Sequence, residues 1–117
     1  QFICSDWLNG LSDLKFDLII SNPPYVDAKQ TNDYDSVALS HEPRVALFAD
    51  DHGRSCIKEI TQESIRFLKR DGWLIIEHGY NQSGLCQQLM QSFQLRAIQT
   101  TLDYSGIGRI TAGQRYD

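Results

Sequence analysis

The chain has 117 residues, 41% of them hydrophobic, with a formal net charge of −4 and a pI near 5.2. This is one small domain or part of a larger one, with the apolar content of an ordinary globular protein. The acidic balance and the absence of any Lys/Arg run disfavour nucleic acid as a direct substrate, because phosphate binding leaves a basic footprint.

Phe2-Ile3-Cys4 reads as the tail of a strand closed by Ser5-Asp6. No initiator Met precedes it, which predicts that the protein begins upstream. Gln1 to Leu8 holds no basic residue and no long apolar run, so no secretory signal is read there. Phe16-Asp17-Leu18-Ile19-Ile20-Ser21 is a nearly continuous apolar run, the pattern of a strand buried on both faces of a parallel sheet. Asn22-Pro23-Pro24 ends it, since neither proline can donate to a ladder. Residues 27–44 are polar and irregular, as in a functional loop.

From Gly53 to Arg70 the spacing predicts a helix, with Ile57, Ile60, Ser64, Phe67 and Leu68 on one face. Lys69-Arg70 would suit its C-terminus and Gly72 its stop. Trp73 to Glu77 reads as a second buried strand, and Asn81 to Phe93 as a second helix with Leu85, Leu89 and Phe93 in the core. Leu95–Leu102 and Arg109–Tyr116 read as an antiparallel hairpin around Asp103–Gly108. The apolar runs are too short to span a bilayer.

The order predicts an α/β fold: the C-terminal half of a Rossmann-like sheet, parallel strands with helices, ending in an antiparallel hairpin. A doubly wound domain also needs a first half with a Gly-rich turn after its first strand. No such turn is present, so residues 1–117 read as a partial catalytic domain. Half a sheet also leaves a strand edge open to association.

Asn22-Pro23-Pro24-Tyr25 carries the chemistry. It follows a buried strand, and in open α/β sheets ligands bind beyond the carboxyl ends of strands. Asn22 is held extended by the proline after it and offers a neutral acceptor. The prolines present carbonyls without competing donors, and Tyr25 offers a flat face for stacking. This suits a planar –NH2 group, with one N–H on Asn22 Oδ1 and the other on the Pro23 carbonyl. Two acceptors favour the pyramidal nitrogen formed on attack at a methyl sulfonium, so positioning and electrostatics replace a strong base. The bland alternative is a simple Asn-Pro-Pro turn.

The strand followed by Asn22-Pro23-Pro24-Tyr25 resembles the signature loop of N-methyltransferases, which is shared by enzymes acting on DNA adenine, RNA guanine and protein glutamine. Ser5-Asp6-Trp7, His41-Glu42-Pro43-Arg44-Val45-Ala46-Leu47-Phe48-Ala49 and Gly53 narrow the match. With Gly72-Trp73-Leu74-Ile75-Ile76-Glu77-His78-Gly79, Asp103-Tyr104 to Arg109, and Gly113-Gln114-Arg115-Tyr116, they resemble the release factor glutamine methyltransferase family. The resemblance covers essentially the whole chain, and the Glu-Pro-x-x-Ala-Leu stretch discriminates best.

The resemblance implies methyl transfer from S-adenosylmethionine to the side-chain amide nitrogen (N5) of the glutamine in the Gly-Gly-Gln motif of peptide-chain release factors. Catalysis would fall to Asn22 and Pro23. Asn22, Pro23, Pro24, Tyr25 and Glu42 would bind substrate, and Asp6, Trp7 and Asn22 the donor. The family's Gly-rich loop, ribose-binding acid and N-terminal helical substrate domain have no counterpart here, which predicts weak or no donor binding by this piece alone. Two other readings stand beside this one: amino methylation of adenine N6 or guanine N2 in DNA or RNA, and an inactive fragment.

The remaining candidates are weaker. Trp7 also fits a plain core position, Glu42-Pro43 an ordinary turn, and Arg44 is a minor pocket candidate. His41, His52 and His78 do not cluster, so no metal is expected. Glu77-His78, at the same sheet edge as the loop, reads as structural. Cys4, Cys56 and Cys86 are odd in number and lack CxxC spacing, against a disulfide framework or zinc site. They read as small half-buried or buried thiols in a reducing compartment, the cytoplasm.

Overall fold

The computed structural model describes residues 8, 14–23, 26–27, 48–49 and 54–117. In chain order these form β1 (Phe16–Ser21), β2 (Val26–Asp27), β3 (Phe48–Ala49), α1 (Arg54–Phe67), β4 (Leu68–Glu77), α2 (Ser83–Ser92), β5 (Arg96–Leu102) and β6 (Gly108–Gln114). The main sheet has the order β1-β4-β6-β5. β1 and β4 are parallel, joined through a chain segment that includes α1, while β6 is antiparallel to both β4 and β5. This is an α/β fold with a mixed sheet, and the expected parallel pair and terminal hairpin are both present.

The core lies between the sheet and the two helices. Leu74 and Ile76 of β4, Ile57 and Ile60 of α1, and Cys86, Leu89 and Met90 of α2 are buried there, with Leu95. Each fully buried aliphatic side chain contributes about 1.5–3 kcal/mol through removal from water. The expected α1 face is the buried one, since Ile57, Ile60, Ser64 and Phe67 are all inside. On α2, Leu89 is buried, Leu85 packs against the core and Phe93 is half-buried.

β1 departs from expectation. It is not buried on both faces: Ile19 packs on the core, while Leu18 is 48% and Ile20 67% exposed. Among the described residues the helices cover only one face, so the alternate side chains of β1 have nothing to pack on. Two pairings are also too short for a periodic pattern to reveal. Val26↔Phe48 and Asp27↔Ala49 form a separate two-stranded parallel sheet, one strand at the start of the stretch 27–44 read as irregular and the other just past its end.

The α1–β4 junction is a second correction. The helix ends at Phe67, and Lys69, Arg70 and Gly72 belong to β4. The ladder runs Phe16↔Leu68 and then Leu18↔Trp73, so the single residue Asp17 of β1 stands opposite four of β4, Lys69 to Gly72. Asp71 sits in the bulge at φ 64°. It is held there because its N–H donates to the Arg115 carbonyl at 2.7 Å and Arg115 N–H donates back to the Gly72 carbonyl at 2.8 Å. The carbonyls at the α1–β4 junction find their cations far away in sequence. Arg115 Nη1 donates to the carbonyls of Ile65 and Leu68, and Lys15 Nζ to that of Arg66. Lys69 instead pairs with Asp17 at 3.1 Å.

α2 ends in a Schellman turn without glycine. Gln94 takes φ 66°, Leu95 N–H donates to the Met90 carbonyl at 3.0 Å, and Gln94 N–H to the Gln91 carbonyl at 2.9 Å. The hairpin loop is tied by Asp103, whose carboxylate accepts from the N–H groups of Ser105 and Ile107 at 2.8 and 3.0 Å and from Arg109 Nε at 3.1 Å.

Candidate functional site

The parallel pair defines a carboxyl edge. Ser21, the last residue of β1, pairs with Ile76 of β4, so both strands run out of the sheet at the same level. Asn22-Pro23 leaves from β1 there, and His78-Gly79 leaves from β4. β5 runs in the direction of β4, since both are antiparallel to β6. The hairpin turn after Leu102 therefore lies on the same edge.

Asn22 is exposed and Pro23 is fully buried. The proline ring anchors the chain while the amide before it faces outward. An accessible neutral acceptor just beyond a parallel strand can accept a hydrogen bond from an –NH2 group. Pro24, Tyr25, Glu42, Asp6 and Trp7 lie outside the described residues, as do Arg44, His41, His52 and Cys4, so Asn22 and Pro23 are the two expected site residues with a described environment.

Behind the edge of β4 is a polar chain that the sequence reading passed over as structural. His78 is fully buried. Its Nδ1 lies 3.1 Å from the Gly79 carbonyl and its Nε2 2.7 Å from Thr111 Oγ1. Thr111 Oγ1 lies 2.8 Å from Thr100 Oγ1, and Gln87 Nε2 donates to Thr100 Oγ1 at 2.5 Å. A carbonyl only accepts, so Nδ1 must carry the proton that it shares with Gly79. Neutral imidazole then accepts at Nε2 from the Thr111 hydroxyl, which fixes the direction of the chain: Gln87 to Thr100 to Thr111 to His78 to Gly79.

Burial lowers the His78 pKa from its usual 6.5, opposed by the Gly79 hydrogen bond; nearby Arg109 lowers it further and Glu77 raises it. The turn that follows is closed from both sides. Gly79 N–H donates to Gln82 Oε1 at 2.8 Å, and Gln82 N–H donates to the Gly79 carbonyl at 3.0 Å. Buried Cys86 also hydrogen-bonds Thr111, and burial pushes its thiol up to about 12. No group of His, Cys, Asp and Glu side chains among the described residues is arranged to hold a metal ion. No helix among them is long and apolar enough to cross a membrane.

Sequence comparison settles which proteins this chain is like. A release factor glutamine methyltransferase of Buchnera aphidicola is 38% identical over 116 residues, 99% of this chain and 41% of the relative. The proteins of that name from Coxiella burnetii and Vibrio cholerae are 37% and 36% identical, over 98% and 97% of this chain and 40% of each relative. The chain resembles release factor glutamine methyltransferases along almost its whole length. This bears out the resemblance read from the motifs. The chain spans about two fifths of the length of the relatives it matches. No family model matches it. Among solved structures, the protein-(glutamine-N5) methyltransferase (release factor-specific) of Alicyclobacillus acidocaldarius aligns with a TM-score of 0.42 and 21% identity, over 88% of this chain and 50% of that one.

Proposed function

We propose that these residues form part of the catalytic domain of a methyltransferase that acts on the side-chain amide nitrogen (N5) of a glutamine. The substrate is the Gly-Gly-Gln glutamine of peptide-chain release factors, in the cytoplasm, and the donor is S-adenosylmethionine. The observation that carries this reading is the exposed Asn22 amide beyond the carboxyl end of a parallel strand. The similarity of nearly the whole chain to release factor glutamine methyltransferases supports it.

The donor supplies an electrophilic methyl carbon. The protein's task is to present a poor nucleophile to it in line. Asn22 Oδ1 accepts one N–H of the glutamine amide and favours the pyramidal nitrogen formed on attack. The methyl–sulfur bond would break with release of the thioether, and the methylated nitrogen would then lose one proton to water. Pro23 fixes the backbone from which Asn22 projects. In this reading its own carbonyl is the second acceptor. Pro24, Tyr25 and Glu42 complete the substrate pocket in this reading, and Asp6, Trp7 and Asn22 hold the donor.

The test is methyl transfer from labelled S-adenosylmethionine to an unmodified release factor by the full-length gene product, with the modified peptide located by mass spectrometry. Methyl on the Gly-Gly-Gln glutamine supports the reading. Transfer to oligonucleotides instead would replace it with base methylation.

A further inference from the structure

We propose that His78 is a positioning residue of this site: its neutral imidazole clamps the turn at residues 78–82 that borders Asn22-Pro23. The proposal rests on the assignment of the carboxyl edge as the methyl-transfer site. Four observations meet at this one side chain. His78 leaves β4 where Asn22-Pro23 leaves the neighbouring parallel strand, two residues past the Ser21↔Ile76 pair on each side. Both His78 and Pro23 are fully buried, so the two strand ends are packed while Asn22 stays outside. Nδ1 donates to the carbonyl of the next residue, Gly79, the same carbonyl that accepts Gln82 N–H. Nε2 is occupied by Thr111 Oγ1 from β6, the strand on the other side of β4.

The imidazole therefore links three things: the turn beyond β4, the sheet interior through Thr111 and Thr100, and α2 through Gln87. Neither nitrogen is available to substrate, so His78 is not a catalytic base. Its role is to keep the backbone next to Asn22 from breathing. Reaction geometry is sensitive to misplacement on this scale, where about 1 Å can cost on the order of 100-fold in rate.

Asparagine and glutamine separate the two nitrogens. His78→Asn places an amide N–H near the Nδ1 position and keeps the clamp on Gly79. His78→Gln reaches toward Thr111 but gives up the short donor to Gly79. The experiment compares wild type, His78→Asn and His78→Gln as the full-length gene product. Native-state hydrogen exchange is read at Gly79 and Gln82, and kcat and KM are measured with release factor as acceptor.

The expected result is that His78→Gln loses roughly tenfold or more protection at those two amides while β5 amides keep theirs, with kcat down about 10–100-fold and KM little changed. His78→Asn recovers most of both. Unchanged protection at Gly79 and Gln82 in a folded His78→Gln overturns the clamp. Lost protection with wild-type kcat overturns the positioning role. If wild type transfers no methyl to any release factor, the substrate assignment fails. The exchange result then still decides the clamp, and kcat is read with an oligonucleotide acceptor.

Discussion

Replacing Thr111 by valine keeps the shape of the side chain and removes the hydroxyl at the centre of the buried chain. His78 Nε2 then loses its donor at 2.7 Å inside the core. A buried acceptor left unpaired costs about 1–3 kcal/mol. Thr100, at 2.8 Å on the other side, is only half-buried, so water can replace that contact at little cost. Thr111→Val is expected to destabilise the fold by about 2 kcal/mol. His78→Leu alone deprives the buried Thr111 hydroxyl of its acceptor, while the Gly79 carbonyl keeps the Gln82 N–H. The double variant removes both partners together and leaves a mostly apolar contact, which costs far less than the two single changes added. The coupling is expected to be about 1–2 kcal/mol.

Urea denaturation of the full-length protein measures all four corners of this cycle, provided the slope with denaturant stays constant. A Thr111→Val cost under about 0.5 kcal/mol, or singles that add within about 0.5 kcal/mol, would refute the chain as drawn. pH offers an independent check. The folded pKa of His78 lies below its usual 6.5, so the unfolded chain binds more protons between the two values. The contribution of His78 is complete above about 6.5 and is lost as pH falls from there through the folded value. His78→Leu is expected to flatten that part of the stability curve.

Three further outcomes follow from local geometry. A Cβ at Gly72 would lie 2.9 Å from the Lys69 carbonyl oxygen and 3.1 Å from that of Asp17, both backbone, so Gly72→Ala must push β1 and β4 apart. It is expected to cost about 1–3 kcal/mol by chemical denaturation. Asp103 is held below the usual carboxylate range, first by the Ile107 N–H and then by Arg109. Its contribution is present above the unfolded value of about 3.9 and lost as pH falls through the lower folded one. Asp103→Asn should weaken amide protection in the loop 103–108 at neutral pH, and equal protection would contradict the loop's dependence on the carboxylate. Cys86, buried and with its thiol pushed up to about 12, should resist alkylation at pH 8 in the native protein and react on unfolding; modification at the native rate of a free thiol would contradict its burial.

Much of the fold was legible because it rests on local periodicity. The continuous apolar run Trp73–Ile76, the helical spacing of Ile57, Ile60, Ser64 and Phe67, and the two β-runs around Asp103–Gly108 announce a buried strand, a helix and a hairpin. What was not legible depends on partners distant in sequence. α1 stops at Phe67 rather than Arg70 because Arg115 and Lys15 take the carbonyls at its end and the Arg115 backbone holds Asp71 in a bulge. No window around residue 70 contains that information. The site divides in the same way. Asn22-Pro23 announces itself, because a proline pair ending an apolar strand is a local signal. His78 does not, since its partners Thr111 and Thr100 come from two other strands. The available hint was a histidine-glycine step at the end of an apolar strand, together with threonines at hairpin positions that face each other.

The central claim is that Asn22 presents a glutamine amide to a methyl donor. Its most direct test is kcat for methylation of the Gly-Gly-Gln glutamine by wild type and Asn22→Ala, followed by mass spectrometry on the release factor peptide. The account predicts one methyl on that glutamine and a fall of about 100–1000-fold in the variant, the scale for losing one preorganised polar contact at a reacting group. Wild-type transfer to another residue, or an Asn22→Ala enzyme as fast as wild type, would contradict it.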